Sequence, residues 1–307
     1  MNSSNPEFHP RNSCPLCGSD NLSDAFALDG FRVAACKACG FRFSRDILSP
    51  AALDQHYVDG YADRRQLDGQ RVNASINIEL LRDFCPDLSG KSLLDVGSGY
   101  GMFLDRVRNG GASRAAGVEL SRAERRYSVE TMRLETLAQI DDLSERDQFD
   151  IISLFEVIEH IPSPYEFVQN ICKHLKPGGS LIIGTDNFVS DVVTVLGKQF
   201  PKWIPHEHVS FFDPASLKDM LLRSGTLKLA GTRSFTPWEL LLRKLIYKAT
   251  SGRKGGTTYN YLNERDGGED RHYRYFALRR AINRTWFKIS GKSDLDGEMM
   301  YVHMIKL

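Results

Sequence analysis

The stretch from Ser92 to Asn109 constrains the fold more than any other part of the chain. A short apolar run, Ser92–Val96, passes through Gly97-Ser98-Gly99-Tyr100-Gly101 directly into an amphipathic segment closed by Gly110-Gly111. Units of the same kind recur downstream. Strands are predicted at Ser92–Val96, Arg114–Glu119, Phe149–Phe155, Ser180–Thr185 and Leu227–Gly231. Helices are predicted at Gly101–Asn109, Arg122–Thr131, Tyr165–Leu175 (closed by Lys176-Pro177-Gly178-Gly179) and Pro214–Ser224 (closed by Gly225). Short apolar strands alternating with capped helices indicate an α/β fold, a doubly wound Rossmann-like parallel sheet covered on both faces. A final strand candidate, Met299–Leu307, follows a long irregular and helical segment.

In such a sheet, ligands bind at the carboxyl ends of the strands. The glycine turn and Glu119, at the end of the second predicted strand, are therefore candidate ligand contacts. The spacing is GxGxG, without the third small residue of the dinucleotide fingerprint. A carboxylate at position 119 suits the two hydroxyls of a ribose.

Cysteine spacing adds a second constraint. Cys14 and Cys17 form one Cys-x2-Cys pair and Cys36 and Cys39 another, each followed by glycine, with eighteen residues between the pairs. Glycine tolerates the positive φ that turns backbone amides toward a thiolate. Two facing knuckles of this type make a tetrahedral four-sulfur site for structural Zn²⁺, with no open position for chemistry. Disulfides or a redox pair are the competing readings. The N-terminus lacks a basic and apolar leader, so a reducing, cytoplasmic setting is expected, and it argues against disulfides. Cys85 and Cys172 stand alone and read as packing residues. Lysine and arginine number 40 against 39 acids, which argues against a surface basic all over.

Several segments in order resemble class I S-adenosylmethionine-dependent methyltransferases, over roughly residues 90–230 plus the last strand. LLDVGSGYG is similar to the family's cofactor loop, FDIISLFEVIEHI to its fourth strand and following turn, and LKPGGSLIIGTDN to its fifth strand. The resemblance implies S-adenosylmethionine held by Asp95, Gly97, Ser98, Gly99, Gly101 and Glu119, with Phe155 and Glu156 at the end of the fourth strand. The knuckled N-terminus, the His56-Tyr57-x3-Tyr61 segment and His206-Glu207-His208-Val209-Ser210-Phe211-Phe212 resemble a narrower bacterial subgroup. Its members carry an N-terminal zinc-binding domain and act on sugars, glycans or natural products. The expected organisation is a zinc-binding module at 1–48, a helical connector at 49–89 and a methyltransferase domain at 90–307. Within the last, an insertion at 234–298 forms a lid or acceptor pocket.

The expected reaction is methyl transfer to a hydroxyl or carbon of a sugar, glycan or other small molecule. Candidate bases are His160, His206 and His208, because histidine titrates near neutrality. The alternatives are a structural hydrogen bond for His160 and loop anchoring for His206 and His208. The His206–His208 run is also a weak signal for a second metal. Glu156 faces the methionyl group or caps a helix. Tyr57, Tyr61 and Arg71 are expected to close over the cofactor, the arginine pairing with its carboxylate.

From Leu241 to Lys292 the insertion holds thirteen Lys/Arg against four Asp/Glu. It reads as a solvated basic face, as a site for a phosphate-bearing or anionic acceptor, or as a peripheral contact with the inner membrane surface. Two other functions compete with the leading one. An RNA methyltransferase would use the knuckles on nucleic acid, but residues 1–50 carry five basic and five acidic side chains and no basic stripe. A non-catalytic methyltransferase-like partner subunit would not need the intact glycines and Glu119.

Overall fold

The computed structural model describes residues 8–28, 31–49, 52, 64–205, 207–250 and 269–307. His56, Tyr57, Tyr61, His206, residues 50–51 and 53–63 of the expected connector and residues 251–268 of the insertion lie outside the described residues. In chain order the N-terminal part supplies strands β1 (Phe8–Pro10), β2 (Leu22–Leu28), β3 (Phe31–Cys36), β4 (Arg42–Ser44) and β5 (Asp46–Leu48). Helix α1 (Arg64–Phe84) leads into β6 (Ser92–Val96), α2 (Met102–Asn109), β7 (Arg114–Val118), α3 (Arg122–Glu130) and β8 (Glu135–Leu137). These are followed by β9 (Phe149–Phe155), α4 (Pro164–Cys172), β10 (Leu175–Asp186), α5 (Asp191–Leu196) and β11 (Ser210–Phe211). The chain ends with α6 (Pro214–Leu222), β12 (Leu227–Phe235), α7 (Trp238–Ala249), α8 (Glu269–Ser290) and β13 (Met299–Lys306).

Seven strands form the main sheet in the order β12-β13-β10-β9-β6-β7-β8. Only β13 runs against its neighbours, pairing antiparallel with both β10 and β12. The order reverses between β6 and β9, so the carboxyl ends of these two strands flank the crevice where ligands bind in open α/β sheets. Alternating side chains fill two apolar layers. Leu94, Ile152, Leu181 and Val302 enter one with α4 and α6, while Leu93, Ile151, Ile182 and Tyr301 enter the other with α1, α2 and α8. Burial on both faces explains why these strands read as continuous apolar runs.

Two local expectations are corrected. Lys176–Gly179 do not close a helix, which ends at Cys172; they lie within β10. Leu175 pairs with Phe149, the register shifts, and Ser180 pairs with Ile151. Gly178, at φ +72°, lets the strand carry this irregularity. Residues 22–28, not anticipated as a strand, pair with β3.

A smaller sheet, β11-β4-β3-β2, takes its edge strand from Ser210–Phe211, far along the chain. Phe41, Phe43 and Phe212 are fully buried there, and the rings of Phe41 and Phe212 lie 5.1 Å apart. Arg11 Nη2 donates to Pro162 O at 3.1 Å, and Arg223 donates to Leu16 O. The cysteine-bearing segment is thus continuous with the main core. Among the described residues, no helix is long and apolar enough to cross a membrane.

Candidate cofactor and catalytic site

At the carboxyl end of β6 the chain turns through three glycines in the left-handed region. Gly101 sits at φ +81°, and a Cβ there would come within 2.5 Å of Leu134 Cδ1 and 2.7 Å of Ser128 Oγ. The turn aims backbone amides at one carboxylate. Gly99 N donates to Glu119 Oε2 at 2.7 Å, and Ser121 N donates to Oε1 at 2.7 Å. Each carboxylate oxygen retains capacity for a further donor. Burial raises the Glu119 carboxyl above its usual range, against the opposing pull of these amides.

Asp95 accepts from Ser153 Oγ at 2.6 Å, and burial, together with the Glu119 charge, pushes its carboxyl up to about 7. Helix α1 contributes Gln70, whose Oε1 accepts from Tyr100 N and whose Nε2 donates to Glu124 Oε1, both at 2.8 Å. Arg71, expected over the cofactor, instead pairs with Asp68 at 3.0 Å and lines a cleft between α1, α2 and α8. The reason is helical geometry: successive residues point about 100° apart, so a helix presenting Gln70 to the loop turns Arg71 away from it.

The carboxyl end of β9 carries the second group of side chains. Phe155 packs edge-on against Phe103 at 5.2 Å. Glu156 has φ +56°, a strained conformation for a residue with a Cβ. Its carboxylate accepts from Asn73 Nδ2 at 2.7 Å and meets Lys202 Nζ at 3.3 Å. A single 3₁₀ turn, Ile158–His160, then brings Glu159 and His160 into place. Glu159 is enclosed: Oε2 accepts from Thr185 Oγ1 at 2.8 Å, while Oε1 has no hydrogen-bond partner among the described residues. Burial, with Asp186 and Glu156 adding to it, holds this carboxyl well above its usual range.

His160 Nδ1 lies 3.1 Å from Glu207 O, and His208 Nδ1 lies 3.0 Å from Lys202 O. A carbonyl only accepts, so each Nδ1 carries the proton and each Nε2 the basic lone pair. The two rings meet edge-to-face at 4.7 Å, and the donor atoms of Glu159, His160 and His208 all lie within 4.8 Å of one another. Such a set suits proton removal or a divalent cation with oxygen and nitrogen ligands.

Lys202, like Gln70, lies at the site without having been singled out in the sequence. Its Nζ pairs with Asp186 Oδ1, lies 3.3 Å from Glu298 Oε1 and also meets Glu156. It ties the ends of β9, β10 and β13 together from an aperiodic loop. The only local signal was an acid, Asp186, at a buried strand end.

At the N-terminal module, Cys14 Sγ lies 3.7 Å from Cys39 Sγ, and Cys17 Sγ lies 3.5 Å from Cys36 Sγ. All four sulfurs fall within 4.8 Å of one another. A tetrahedral Zn–S₄ centre with bonds of about 2.3 Å requires sulfur separations of about 3.8 Å. Gly18 N donates to Cys14 O at 2.9 Å and Gly40 N to Cys36 O at 2.8 Å, both glycines at φ +76°. The two knuckles share one backbone geometry.

The strand order, the glycine loop after β6 and the acid ending β7 define a Rossmann-like methyltransferase fold. The chain belongs to the methyltransferase-domain family, whose model matches residues 68–226. It is similar to the ubiquinone biosynthesis O-methyltransferase of Coxiella burnetii, 31% identical over 156 residues, a match spanning 46% of this chain and 65% of that protein. The corresponding protein of Neisseria meningitidis serogroup A is 29% identical over 219 residues, covering 65% of this chain and 79% of the relative. Among solved structures, a chain from the complex of the Haloferax volcanii Trm112 methyltransferase activator with a methyltransferase shares the fold. Its TM-score is 0.52 at 17% identity, over 79% of this chain and 94% of that one.

Proposed function

We propose that this chain transfers a methyl group from S-adenosylmethionine to a hydroxyl of a small-molecule acceptor. The observation that carries the reading is the Glu119 carboxylate, held between two loop amides at the end of β7 with acceptor capacity left for a ribose diol. The chain's own groups suit this cofactor. Ser98 Oγ is buried with no hydrogen-bond partner among the described residues, which leaves a polar atom of the loop for a ligand to satisfy. At Gly99 a Cβ would overlap the Gln70 amide, so that position admits no side chain.

When bound, the cofactor supplies an electrophilic methyl on a cationic sulfonium. Glu119 would hold the ribose, and the buried acids Asp95 and Glu119 favour positive charge beside the loop. His160, with Nδ1 fixed by Glu207 O, would take the acceptor's proton at Nε2, with His208 beside it. Positioning in such sites supplies roughly 7–11 kcal/mol, and a general base adds about 10²–10⁴-fold.

The acceptor end is rich in acids: Glu156, Asp186 and Glu298 gather around Lys202, and Glu159 lies beside His160 and His208. A neutral hydroxyl, whether of a sugar, a natural product or a quinone precursor, fits this lining better than a phosphate-bearing acceptor. The names of the two relatives favour oxygen as the methylated atom. Cys14, Cys17, Cys36 and Cys39 would hold a structural Zn²⁺.

A second reading rests on the unpartnered Glu159 Oε1: Glu159, His160 and His208 hold a divalent cation that supplies Lewis-acid chemistry. Turnover that is lost on chelation and restored by Mn²⁺ would select it. Turnover indifferent to chelator would leave the base. For the main reading, calorimetry with S-adenosylhomocysteine should show at least about tenfold weaker binding by Glu119→Ala, since two charge-assisted hydrogen bonds are lost. Unchanged affinity would overturn the assignment. His160→Ala should lower turnover by about 10²–10⁴-fold with cofactor affinity kept, and full activity would return His160 to a structural role.

A further inference from the structure

The geometry points to a phosphate-binding cleft on the layer formed by α1, α2 and α8, outside the glycine loop and the Glu159–His160–His208 cluster. A cavity of about 480 Å³ opens there, and five guanidinium groups line it: Arg71 and Arg82 from α1, Arg106 from α2, and Arg280 and Arg284 from α8. Arg280 and Arg284 are four residues apart and share one helix face.

Glu79 and Asp105 also line the cleft, but both are already engaged. Glu79 pairs with Arg284, with Lys288 at 2.9 Å and with Arg82 at 3.9 Å, and Arg71 pairs with Asp68 at 3.0 Å. Arg106 and Arg280 are thus the guanidinium groups of the cleft without an acid partner among the described residues. Asp105 pairs with Arg108 at 2.6 Å and accepts from Asn109 Nδ2 at 3.2 Å. Arg106, half-buried, makes its one side-chain bond among the described residues to the neutral Ser75 Oγ, at 3.2 Å. Burial, with the charges of Arg280, Arg284 and Arg82 adding to it, lowers its guanidinium from the usual range. Like charges held this close on packed helices are relieved by an anion between them.

Guanidinium forks match the oxygens of phosphate and can bind several at once, which a single carboxylate cannot offer. The volume exceeds one phosphate and fits a ligand carrying a phosphate monoester or diphosphate. The source is a soluble phosphorylated molecule or a lipid headgroup. The second is worth an arm of the test because Leu278 and Ile282, on α8 beside Arg280, are 61% and 40% exposed.

The test uses the full chain at low ionic strength with inorganic pyrophosphate as the calorimetric probe. Saturable binding is expected, weakened at least about tenfold by Arg280→Ala and by Arg106→Ala. It should also weaken as salt rises from about 0.02 M to about 0.2 M. Arg280 is exposed on α8, so its truncation removes no core packing. S-adenosylhomocysteine affinity should stay unchanged in that variant, separating this cleft from the proposed reaction.

Co-sedimentation with phosphatidylcholine vesicles containing phosphatidylglycerol distinguishes the sources. Capture that depends on the same arginines and is competed by pyrophosphate identifies a lipid headgroup, whereas pyrophosphate binding without capture identifies a soluble ligand. Saturable binding of neither probe, or binding undiminished by both substitutions, overturns the cleft.

Discussion

The carboxylate of Asp95 is enclosed at the end of β6, with Ser153 Oγ donating to it and Glu119 close enough to oppose its charge. Folding therefore raises its pKa from 3.8 to about 7. A carboxyl raised in this way binds a proton in the folded chain between those values while the unfolded chain has lost it. Its contribution to stability is full below pH 3.8 and is lost as pH rises toward 7. Asp95→Asn keeps an acceptor for Ser153 but carries no charge. The variant should melt higher than the native chain at pH 8 and show a flatter melting profile between pH 4 and 8, both without cofactor. It should also bind S-adenosylhomocysteine more weakly. Parallel melting profiles for the two proteins would show that Asp95 is not the titrating group. The meeting of the glycine turn with Glu119 was legible in the sequence because each follows directly on a predicted strand, β6 and β7. Gln70 and Lys202 were not. Each reaches its partners from an element whose own pattern says nothing about where its side chain ends.

At the scale of elements, regular periodicity was read well and its interruptions were not. Strands β6 and β9 have the boundaries expected from their apolar runs. Lys176-Pro177-Gly178-Gly179 carries the composition of a turn, yet the buried Leu175 pairs with Phe149 and draws the segment into β10. Two residues, Ser210 and Phe211, form β11 because β4 offers an edge, and no propensity within so short a run could announce that. The glycine loop is the opposite case, since its sequence and its geometry require each other. Gly101→Ala places a methyl 2.5 Å from Leu134 Cδ1 on a backbone at φ +81°. Loss of about 2–4 kcal/mol in urea denaturation is expected from strain and overpacking together. Stability equal to the native chain would mean that Leu134 and Ser128 yield freely and that the turn is looser than its contacts indicate.

Across the whole molecule, the cysteine-bearing segment and the catalytic end are joined by backbone hydrogen bonds rather than by a linker. Ser44 N, in β4, donates to Val209 O at 3.0 Å, and Val209 N donates to Glu159 O at 2.8 Å. His208 lies next to Val209 in the chain, so the four-sulfur cluster, β3, β4, the His208 loop and Glu159 form one connected path. Cys17→Ser removes one sulfur from the cluster without touching the glycine loop. If the cluster holds zinc, metal analysis of the native chain should find about one zinc that the variant lacks. The loss should then spread along the path: one cooperative melting transition at lower temperature, and faster hydrogen exchange at Val209 and Ser210. Turnover should fall because Glu159 and His208 lose their backing, while S-adenosylhomocysteine affinity, set on the far side of β6, should change by less than about threefold. Two separate melting transitions with turnover unchanged would mean that the small sheet rides on the main one without bracing it, and the shared edge strand would then be only a junction.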